Sequence, residues 1–222
     1  FSSYTLSFPK DQDYDETKYA KEFLQNFPNI KHEIIAFKEK EILDNVDAIT
    51  QKLGEPFSDA SLIPTYFLCK HVNEKVVLSG DGADEIFGGY DYYFDKKNED
   101  ILSFIKKSQV FDDFEIENLL STNIIYKNEK IDILNSIKSL DMDFSNKIML
   151  IDTLTLLPYN NFIKCDRMSM ASSLELRTPF ISTNLVINAL SKKISEKSNK
   201  ENRIIKLQKE LEIKEKIEKE NK

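Results

Sequence analysis

The chain has 222 residues, of which 41% are hydrophobic, and its formal net charge is −7. A chain of this length can bury one or two cores, and its negative charge argues against nucleic acid or an acidic membrane as a general partner. No apolar run reaches the roughly 18 residues that a membrane-spanning helix needs, and the first residues show no signal-peptide pattern. We therefore expect a cytoplasmic protein.

Strands and helices are predicted to alternate through the first ninety residues. Short apolar runs predict the strands, and stretches with helical apolar spacing predict the helices. Such alternation is typical of βαβ units around a parallel sheet. In chain order we predict a strand at 4–8, a helix at 16–25, a strand at 31–35, helices at 39–53 and 61–72, and a strand at 76–78.

The pattern changes after Gly89, the last glycine of the chain. Residues 191–222 are rich in lysine and glutamate with sparse apolar residues, which predicts a charged helical or frayed tail. We expect residues 1–190 to form one domain, with an α/β part at 1–90 and a helical part at 91–190. The predicted helices of the second part are 100–111, 114–120, 130–140 and 147–157, the last of them stopped by Pro158.

Residues 79–90 contain four of the five glycines together with three acids, directly after a predicted buried strand. Glycine lets the backbone turn sharply and approach a ligand, and open α/β sheets bind ligands at the carboxyl ends of their strands. Backbone N–H groups at such a turn can hold phosphate oxygens. Carboxylates repel phosphates unless a cation such as Mg²⁺ lies between them. The segment predicts a nucleotide loop that works through a metal, with a plain strand–turn–helix connection as the alternative.

Three blocks of the sequence resemble the asparagine synthase family. Residues 78–90 are similar to its L-S-G-D/E-G-x-D-E-x-F-G-G-Y signature, and residues 166–180 are similar to its D-R-M-S-M-A-x-S-L-E-x-R-x-P-F block. Residues 55–66 resemble its E-P-F-x-D-x-S-x-I-P-T-Y segment. The resemblance implies an α/β fold with a parallel adenine-nucleotide-binding sheet, of the PP-loop ATP pyrophosphatase or HUP-like kind, followed by a helical C-terminal half.

The resemblance also implies an AMP-forming ligase of carbon–nitrogen bonds. Members of the family activate a carboxylate, typically the β-carboxylate of aspartate, on the α-phosphate of ATP. Ammonia, released from glutamine by a glutaminase domain, then converts the β-aspartyl-AMP intermediate to asparagine. ATP and Mg²⁺ are the implied cofactors, and the implied partners are small-molecule substrates, with a homodimer left open.

Four residues receive nucleotide and metal contacts from the resemblance. Leu6 would meet adenine through its backbone, Ser79 and Gly80 would contact the nucleotide, and Asp84 would share Mg²⁺ with an aspartate of the family's S-G-G-x-D-S pyrophosphate loop. Neither that loop nor the glutaminase domain occurs in this chain, which begins at Phe1. We therefore expect an inactive fragment of a longer protein, incomplete at the N-terminus of its sheet.

The acid–base chemistry falls by resemblance to two acids. Asp81 matches the acid that lies against the acyl-adenylate and handles the ammonia proton. Glu85 and Tyr90 match positions one layer further from the substrate. A simple charge at a helix start is the alternative for both acids. In the block at residues 166–180, four charged side chains predict ion pairs between the helical part and the α/β part, with direct contact to substrate as the alternative. These are Asp166, Arg167, Glu175 and Arg177.

The resemblance weakens towards the C-terminus. The family continues with a G-K-x-x-L/I-R-like helix, and the nearest counterpart here, residues 201–206, has Asn202 where the lysine is expected. Lys200 or Arg203 would have to replace it. This departure keeps two alternatives open: a related adenylating amide ligase that acts on another carboxylate, and a remnant that does not catalyse.

Overall fold

The structure is a computed structural model, and it describes residues 1–10, 15–94, 100–107, 111–120 and 129–193. Within these ranges the chain is α/β, with a majority of helix and small parallel sheets. The predicted tail beyond Lys193, including the region around Asn202, lies outside the described residues. Residues 108–110 of the predicted helix at 100–111 also lie outside them.

The strands and helices of the described residues follow the predicted alternation up to the strand at 76–78. The strands are β1 (Ser2–Ser7), β2 (Lys31–Ala36), β3 (Val76–Leu78) and β4 (Glu175–Arg177). The α-helices are α1 (Thr17–Leu24), α2 (Glu39–Leu53), α3 (Leu62–His71), α4 (Ala83–Phe87), α5 (Ile101–Lys107), α6 (Asp113–Leu120), α7 (Glu129–Lys138), α8 (Phe144–Leu154), α9 (Phe162–Met170) and α10 (Thr183–Ser191). Among the described residues, none of the helices has both the length and the apolar composition of a membrane span.

The strands pair in parallel, as predicted, but in two separate two-stranded sheets. β1 pairs with β2, with Leu6 opposite Ile35, and α1 supplies the crossover that a parallel connection requires. β3 pairs with β4, with Val77 opposite Leu176. β4 is a strand that the sequence did not predict.

β3 differs from the buried strand that the sequence predicted. Val76 is 44% exposed and Leu78 is 74% exposed. The apolar run predicted burial, because parallel strands are normally covered on both faces. Paired with the three-residue strand β4 in a two-stranded sheet, β3 does not receive that cover from the described residues.

The chain divides into two compact units. Of the described residues, unit 1 contains those in Phe1–Gly80 and Pro158–Pro179, and unit 2 contains those in Asp81–Leu157 and from Phe180 to Lys193. The compact units therefore do not follow the subdivision at residue 90, which stays a prediction as a domain boundary.

The core of unit 1 lies where α2, α3 and α9 meet. Ile49 and Leu53 of α2 pack with Tyr66 of α3 and with Met168 of α9, which is fully buried. Burial of each side chain of this size stabilises the fold by about 1.5–3 kcal/mol. α2 ends at Gly54, whose φ of 78° is left-handed and whose N–H donates to the Thr50 carbonyl at 3.2 Å, a helix end that favours glycine.

The core of unit 2 surrounds α8, which carries the fully buried Ile148 and Met149. The sequence predicted this helix at 147–157, but α8 begins and ends three residues earlier. Pro158 lies instead in a π-helical turn, Leu157–Asn161, which leads into α9. Proline lacks an N–H group, and it fits where the regular helical hydrogen bonds are already interrupted.

Candidate functional site

Two left-handed glycines define the short helix of the glycine-rich segment. Gly82 precedes α4 with a φ of 90°, and Gly88 follows it with a φ of 76°. Side chains strongly disfavour this backbone region, and a Cβ at Gly82 would also collide with Ile181. The N–H of Gly88 donates to the carbonyl of Asp84 at 2.9 Å and closes the helix. The glycines therefore determine both the length and the direction of α4.

The exposed carboxylate of Asp84 lies against the backbone of Gly89. A Cβ at Gly89 would overlap this carboxylate, so only glycine leaves room for the observed side-chain position. Among the residues that the structure describes, no three His, Cys, Asp or Glu side chains group closely enough to hold a metal. Asp84 could thus supply one metal ligand, with the others coming from elsewhere, which suits the few protein ligands that Mg²⁺ usually takes.

The residues predicted to contact the nucleotide belong to unit 1. The N–H of Ser79 donates to the Arg177 carbonyl at 2.9 Å, which extends the β3–β4 ladder by one residue. Gly80 is exposed, and a Cβ there would meet no heavy atom within 4 Å. Its backbone is therefore open to a ligand. Leu6 is half-buried on β1. Asp81, Asp84 and Glu85 belong to unit 2.

A groove of about 570 Å³ opens at the carboxyl ends of β1 and β2 within unit 1. The rings of Phe8 and Phe37, with centroids 5.3 Å apart, form part of its apolar surface. Lys10, Lys38 and Lys40 also line it. The carboxyl ends of parallel strands are the usual ligand position in α/β folds, and an apolar surface beside cations suits a planar base that carries phosphates. Sequence reasoning did not identify this groove.

Four polar side chains of unit 1 form a partly buried cluster around Asp59. The buried Lys164 of α9 donates to Oδ2 of Asp59 at 2.9 Å and to Oγ of Ser61 at 2.7 Å. Nδ2 of Asn160 donates to the same Asp59 oxygen at 2.9 Å. Although burial raises the pKa of Asp59, the hydrogen bonds from Ser61 and Lys164 hold it at about 2. Asp59 is therefore ionised at neutral pH.

The arginines of the block at residues 166–180 form ion pairs within unit 1. Arg167 donates to the Leu53 carbonyl and to Oε1 of Glu55, the latter at 3.1 Å. Arg177 pairs with Glu175, two residues away on β4, and both side chains are more than half exposed, so the pair adds little stability. Arg167 and Glu55 therefore form the predicted kind of ion pair, between residues of the predicted helical part and the predicted α/β part, whereas Arg177 pairs within β4.

In unit 2, Glu85 is buried within a group of aromatic side chains. It is 1% exposed, and the hydroxyl of Tyr90 donates to its Oε1 at 3.0 Å. Burial raises the pKa of Glu85 above its usual range, and the negative charges of Asp84 and Asp152 act in the same direction, against the hydrogen bond from Tyr90. Glu85 is therefore more easily protonated than an exposed glutamate.

Asp152 of α8 is the second buried acid of this region, 5% exposed. Its Oδ2 accepts hydrogen bonds from the hydroxyls of Tyr92 at 2.7 Å and Tyr93 at 3.0 Å. The rings of Tyr90 and Tyr92 stack with an interplanar angle of 14° and centroids 5.3 Å apart. We call Tyr90, Tyr92 and Tyr93 the tyrosine cluster; burial, and then the charge of Asp152, raise the pKa of Tyr92 and Tyr93.

Comparison with known proteins identifies the family. The family model described as asparagine synthase matches residues 1–211. The chain belongs to the asparagine synthase family.

Three curated relatives carry matching names. The glutamine-hydrolysing asparagine synthetase 1 of Bacillus subtilis is 27% identical over 186 residues, which are 64% of this chain and 29% of the relative. A protein of Methanocaldococcus jannaschii, provisionally named glutamine-hydrolysing asparagine synthetase 2, is 39% identical over 89 residues, 39% of this chain and 17% of the relative. A similarly named protein of Mycobacterium bovis is 51% identical over 43 residues, 18% of this chain and 7% of the relative. The matches span less than a third of each relative's length.

Two buried charged residues of this asparagine synthase family chain, Lys164 and Asp152, were not identified from the sequence. Lys164 lies two residues before the block at 166–180, and its partner Asp59 is 105 positions away, so no local pattern connects them. Asp152 did leave a signal, because it is an acid directly after the apolar run at residues 148–151. A charged residue within an apolar helix face indicates a buried polar contact.

Proposed function

We propose that this chain is part of the synthetase domain of an asparagine synthase, which forms asparagine from aspartate, ATP and ammonia. A β-carboxylate oxygen of aspartate attacks the α-phosphorus of ATP, and pyrophosphate leaves. The nitrogen of ammonia then attacks the acyl carbon of β-aspartyl-AMP, AMP leaves with the bonding electrons, and the nitrogen loses a proton. The observation that carries this proposal is the glycine-bounded helix α4, with its acids, in a chain that matches the family model.

ATP binding is supported by two features of unit 1. The backbone of Gly80 is open on the side where a Cβ would point, so a phosphate could approach it closely. The groove beyond β1 combines apolar rings with lysines, and it begins two residues after Leu6. We propose that Leu6, Ser79 and Gly80 contact the nucleotide, in a sheet of the PP-loop ATP pyrophosphatase or HUP-like kind.

The proposed metal ligand is Asp84. Its carboxylate is exposed, and glycine at position 89 leaves it room. Bound Mg²⁺ would supply positive charge between this carboxylate and the phosphates of ATP. A single carboxylate fits such a role, since Mg²⁺ in nucleotide sites is commonly held by one or two carboxylates together with phosphate oxygens and water.

The proposed acid–base residues are Asp81 and Glu85. Asp81 is half-buried at the start of unit 2, and we propose that its carboxylate accepts the proton that the attacking nitrogen loses. Glu85 follows Asp81 by four residues in the sequence. Its side chain is buried and its pKa is raised. We propose that Glu85 supports Asp81 through the conformation of α4.

The rest of the proposal concerns the longer protein. We propose that this protein carries a glutaminase domain and a pyrophosphate loop, that it is cytoplasmic, and that it assembles as a homodimer. The length of the curated relatives supports a longer protein, since each is more than three times as long as its matched segment.

The decisive experiment measures AMP, pyrophosphate and asparagine formed from ATP, aspartate and either ammonium or glutamine. It compares the longer protein that contains this chain with the 222-residue chain alone. We expect activity in the longer protein only, because the pyrophosphate loop does not occur in the 222-residue chain. Removal of a single oxyanion-type donor already lowers the rate by about 10²–10³. Asp81→Asn in the longer protein should abolish product formation, whereas Asp44→Asn, at an exposed site of α2, should not.

Each other outcome contradicts a part of the proposal. AMP formation with another carboxylate, but not with aspartate, would indicate a related amide ligase. Activity in the 222-residue chain would contradict its assignment as an incomplete catalytic unit. A longer protein that binds ATP but forms no AMP with any amino acid would indicate a remnant without catalysis.

A further inference from the structure

The tyrosine cluster connects α8 to the acids of α4 within unit 2. Asp152 lies on α8 and holds the hydroxyls of Tyr92 and Tyr93. Tyr90, stacked on Tyr92, holds Glu85 of α4. A continuous set of hydrogen bonds and ring contacts therefore runs from α8 to α4.

We propose that Asp152 is a positioning residue for the proposed reaction: through the tyrosine cluster it holds Glu85, and thereby fixes α4 and the acids Asp81 and Asp84. This inference rests on the proposed function, because it takes these acids to be the reacting and metal-binding groups. Asp152 acts through other residues and is not assigned a contact with substrate.

The polar groups of this region explain why Asp152 is suited to the task. A carboxylate that accepts two hydroxyl hydrogen bonds, at 2.7 and 3.0 Å, forms stronger and shorter contacts than a neutral acceptor would. Both donors come from adjacent residues of one 3₁₀ turn, Asp91–Phe94. That turn is held a second time, because Oγ of Ser145 on α8 donates to the carbonyl of Tyr93 at 2.6 Å.

Helix α4 needs such support because it is short. It has five residues, with a left-handed glycine at each end, and isolated helices of this length are not stable in water. Its conformation therefore depends on tertiary contacts. Two of its side chains, Glu85 and Ile86, are buried, and Glu85 is the one that the tyrosine cluster holds through a hydrogen bond.

The first test needs no activity and uses amide hydrogen exchange of the 222-residue chain. Asp152→Asn keeps the shape of the side chain and removes its charge. We expect exchange in a peptide covering residues 83–90 to become about tenfold faster, because hydrogen bonds to charged groups carry local stability of that order. The matched control is Asn146→Ala, also buried on α8, where Nδ2 donates to the Lys192 carbonyl at 2.8 Å. In this control, the exchange rate of residues 83–90, measured relative to that of α7, should equal the wild-type value.

The second test measures catalysis by the longer protein. Asp152→Asn should lower kcat about 10–100-fold, as loss of supporting hydrogen bonds behind functional residues typically does. It should also raise the Mg²⁺ concentration that gives half-maximal activity, and we expect the same direction of change for Asp84→Asn. Asn146→Ala should change neither quantity, even where it lowers the melting temperature as much. Tyr92→Phe combined with Tyr93→Phe should reproduce the effects of Asp152→Asn, and it replaces that variant if Asp152→Asn does not fold.

The outcomes separate this inference from the proposed function. Unchanged exchange at residues 83–90 in both the Asp152 and the tyrosine variants would overturn the positioning role, whatever the activity. Faster exchange with unchanged kcat and Mg²⁺ dependence in an active protein would also overturn it. An inactive wild-type longer protein, with faster exchange in the variants, would contradict the proposed function while leaving the mechanical link between Asp152 and α4 supported.

Discussion

Unit 1 and unit 2 both shield acidic side chains from water, Asp59 partly and Asp152 almost fully, and the groups that donate to these acids differ. In unit 1, Asp59 faces the ammonium group of Lys164. In unit 2, Asp152 faces tyrosine hydroxyls, with Glu85 nearby in the same cluster. The ion pair and the hydroxyl of Ser61 hold Asp59 ionised at neutral pH. The hydrogen bonds of unit 2 instead connect its acids to the tyrosine cluster.

Loss of the ammonium in unit 1 should have the largest effect on stability. Lys164→Met leaves Asp59 without this counterion, and we expect the free energy of unfolding to fall by about 2–3 kcal/mol, less than for a fully buried pair because Asp59 is only partly buried. Urea unfolding followed by circular dichroism measures this loss. Adding Asp59→Asn to Lys164→Met should recover part of it. If the double variant is as unstable as the sum of the single ones, the two residues do not act as a pair.

Loss of a hydroxyl in unit 2 should cost less. Tyr93→Phe removes one hydrogen bond to Asp152, and we expect the free energy of unfolding to fall by about 1–2 kcal/mol. Tyr4→Phe is the matched control, because the hydroxyl of Tyr4 donates to Glu74 at 2.7 Å at an exposed position. Thermal unfolding should detect little change in that control. Equal losses in the two variants would show that burial does not strengthen the contact with Asp152.

Substitution of Gly89, against which the Asp84 carboxylate lies, should lower the free energy of unfolding less than loss of the Tyr93 hydroxyl does. Its main effect should be on the position of the Asp84 carboxylate. Gly89→Ala must displace both the carboxylate and the Cβ of Asp84, and we expect a loss of about 1 kcal/mol, the lower end for such crowding, since Asp84 is exposed. In an active longer protein the Mg²⁺ requirement should rise. Gly80→Ala, where a Cβ meets no atom within 4 Å, should leave the melting temperature unchanged. A stable Gly89→Ala protein with unchanged Mg²⁺ dependence would argue against Asp84 as a metal ligand.

The pH dependence of stability should have opposite signs in the two units. The pKa of Glu85 is raised above its ordinary 4.5, so its contribution to stability is present below pH 4.5 and is lost as the pH rises. Stability of Glu85→Gln relative to wild type should therefore increase above pH 4.5. The pKa of Asp59 is lowered from 3.8 to about 2, so its contribution is present above pH 3.8 and is lost as the pH falls towards 2.

The matching control for this pH series is Asp59→Asn. Its instability relative to wild type should be full at neutral pH and should shrink below pH 3.8, in urea titrations at each pH. A constant difference from wild type, for either variant, would show that the acid does not titrate differently in the folded chain.

The sequence predicted those parts of the fold that local patterns determine. α2 has the predicted bounds, because its apolar spacing ends at Gly54, a residue that can adopt the left-handed helix end. β3 also has the predicted bounds. β4 was missed, because a three-residue strand has no pattern of its own and pairs with residues about a hundred positions earlier. The end of α8 was misplaced because Pro158 lies beyond an irregular turn and does not itself stop the helix.

The candidate site shows the same division between local and distant information. The glycine-rich segment could be recognised, since its left-handed positions at Gly82 and Gly88 require glycine locally. The partners of Lys164 and Asp152 could not be predicted, because they are separated in sequence by 105 and about 60 positions. Buried polar contacts of this kind depend on tertiary packing, which hydrophobic periodicity does not encode.

The tyrosine cluster also gives the chain an optical probe of its own. There is no tryptophan among the 222 residues, and nine tyrosines supply the near-ultraviolet signal. Three of them form the tyrosine cluster, in which the rings of Tyr90 and Tyr92 stack. The hydroxyl of Tyr90 donates a hydrogen bond to Glu85 of α4. Tyrosine emission is sensitive to a neighbouring carboxylate, and coupled rings give strong near-ultraviolet circular dichroism. A change in the conformation of α4 should therefore be visible in these spectra without any label.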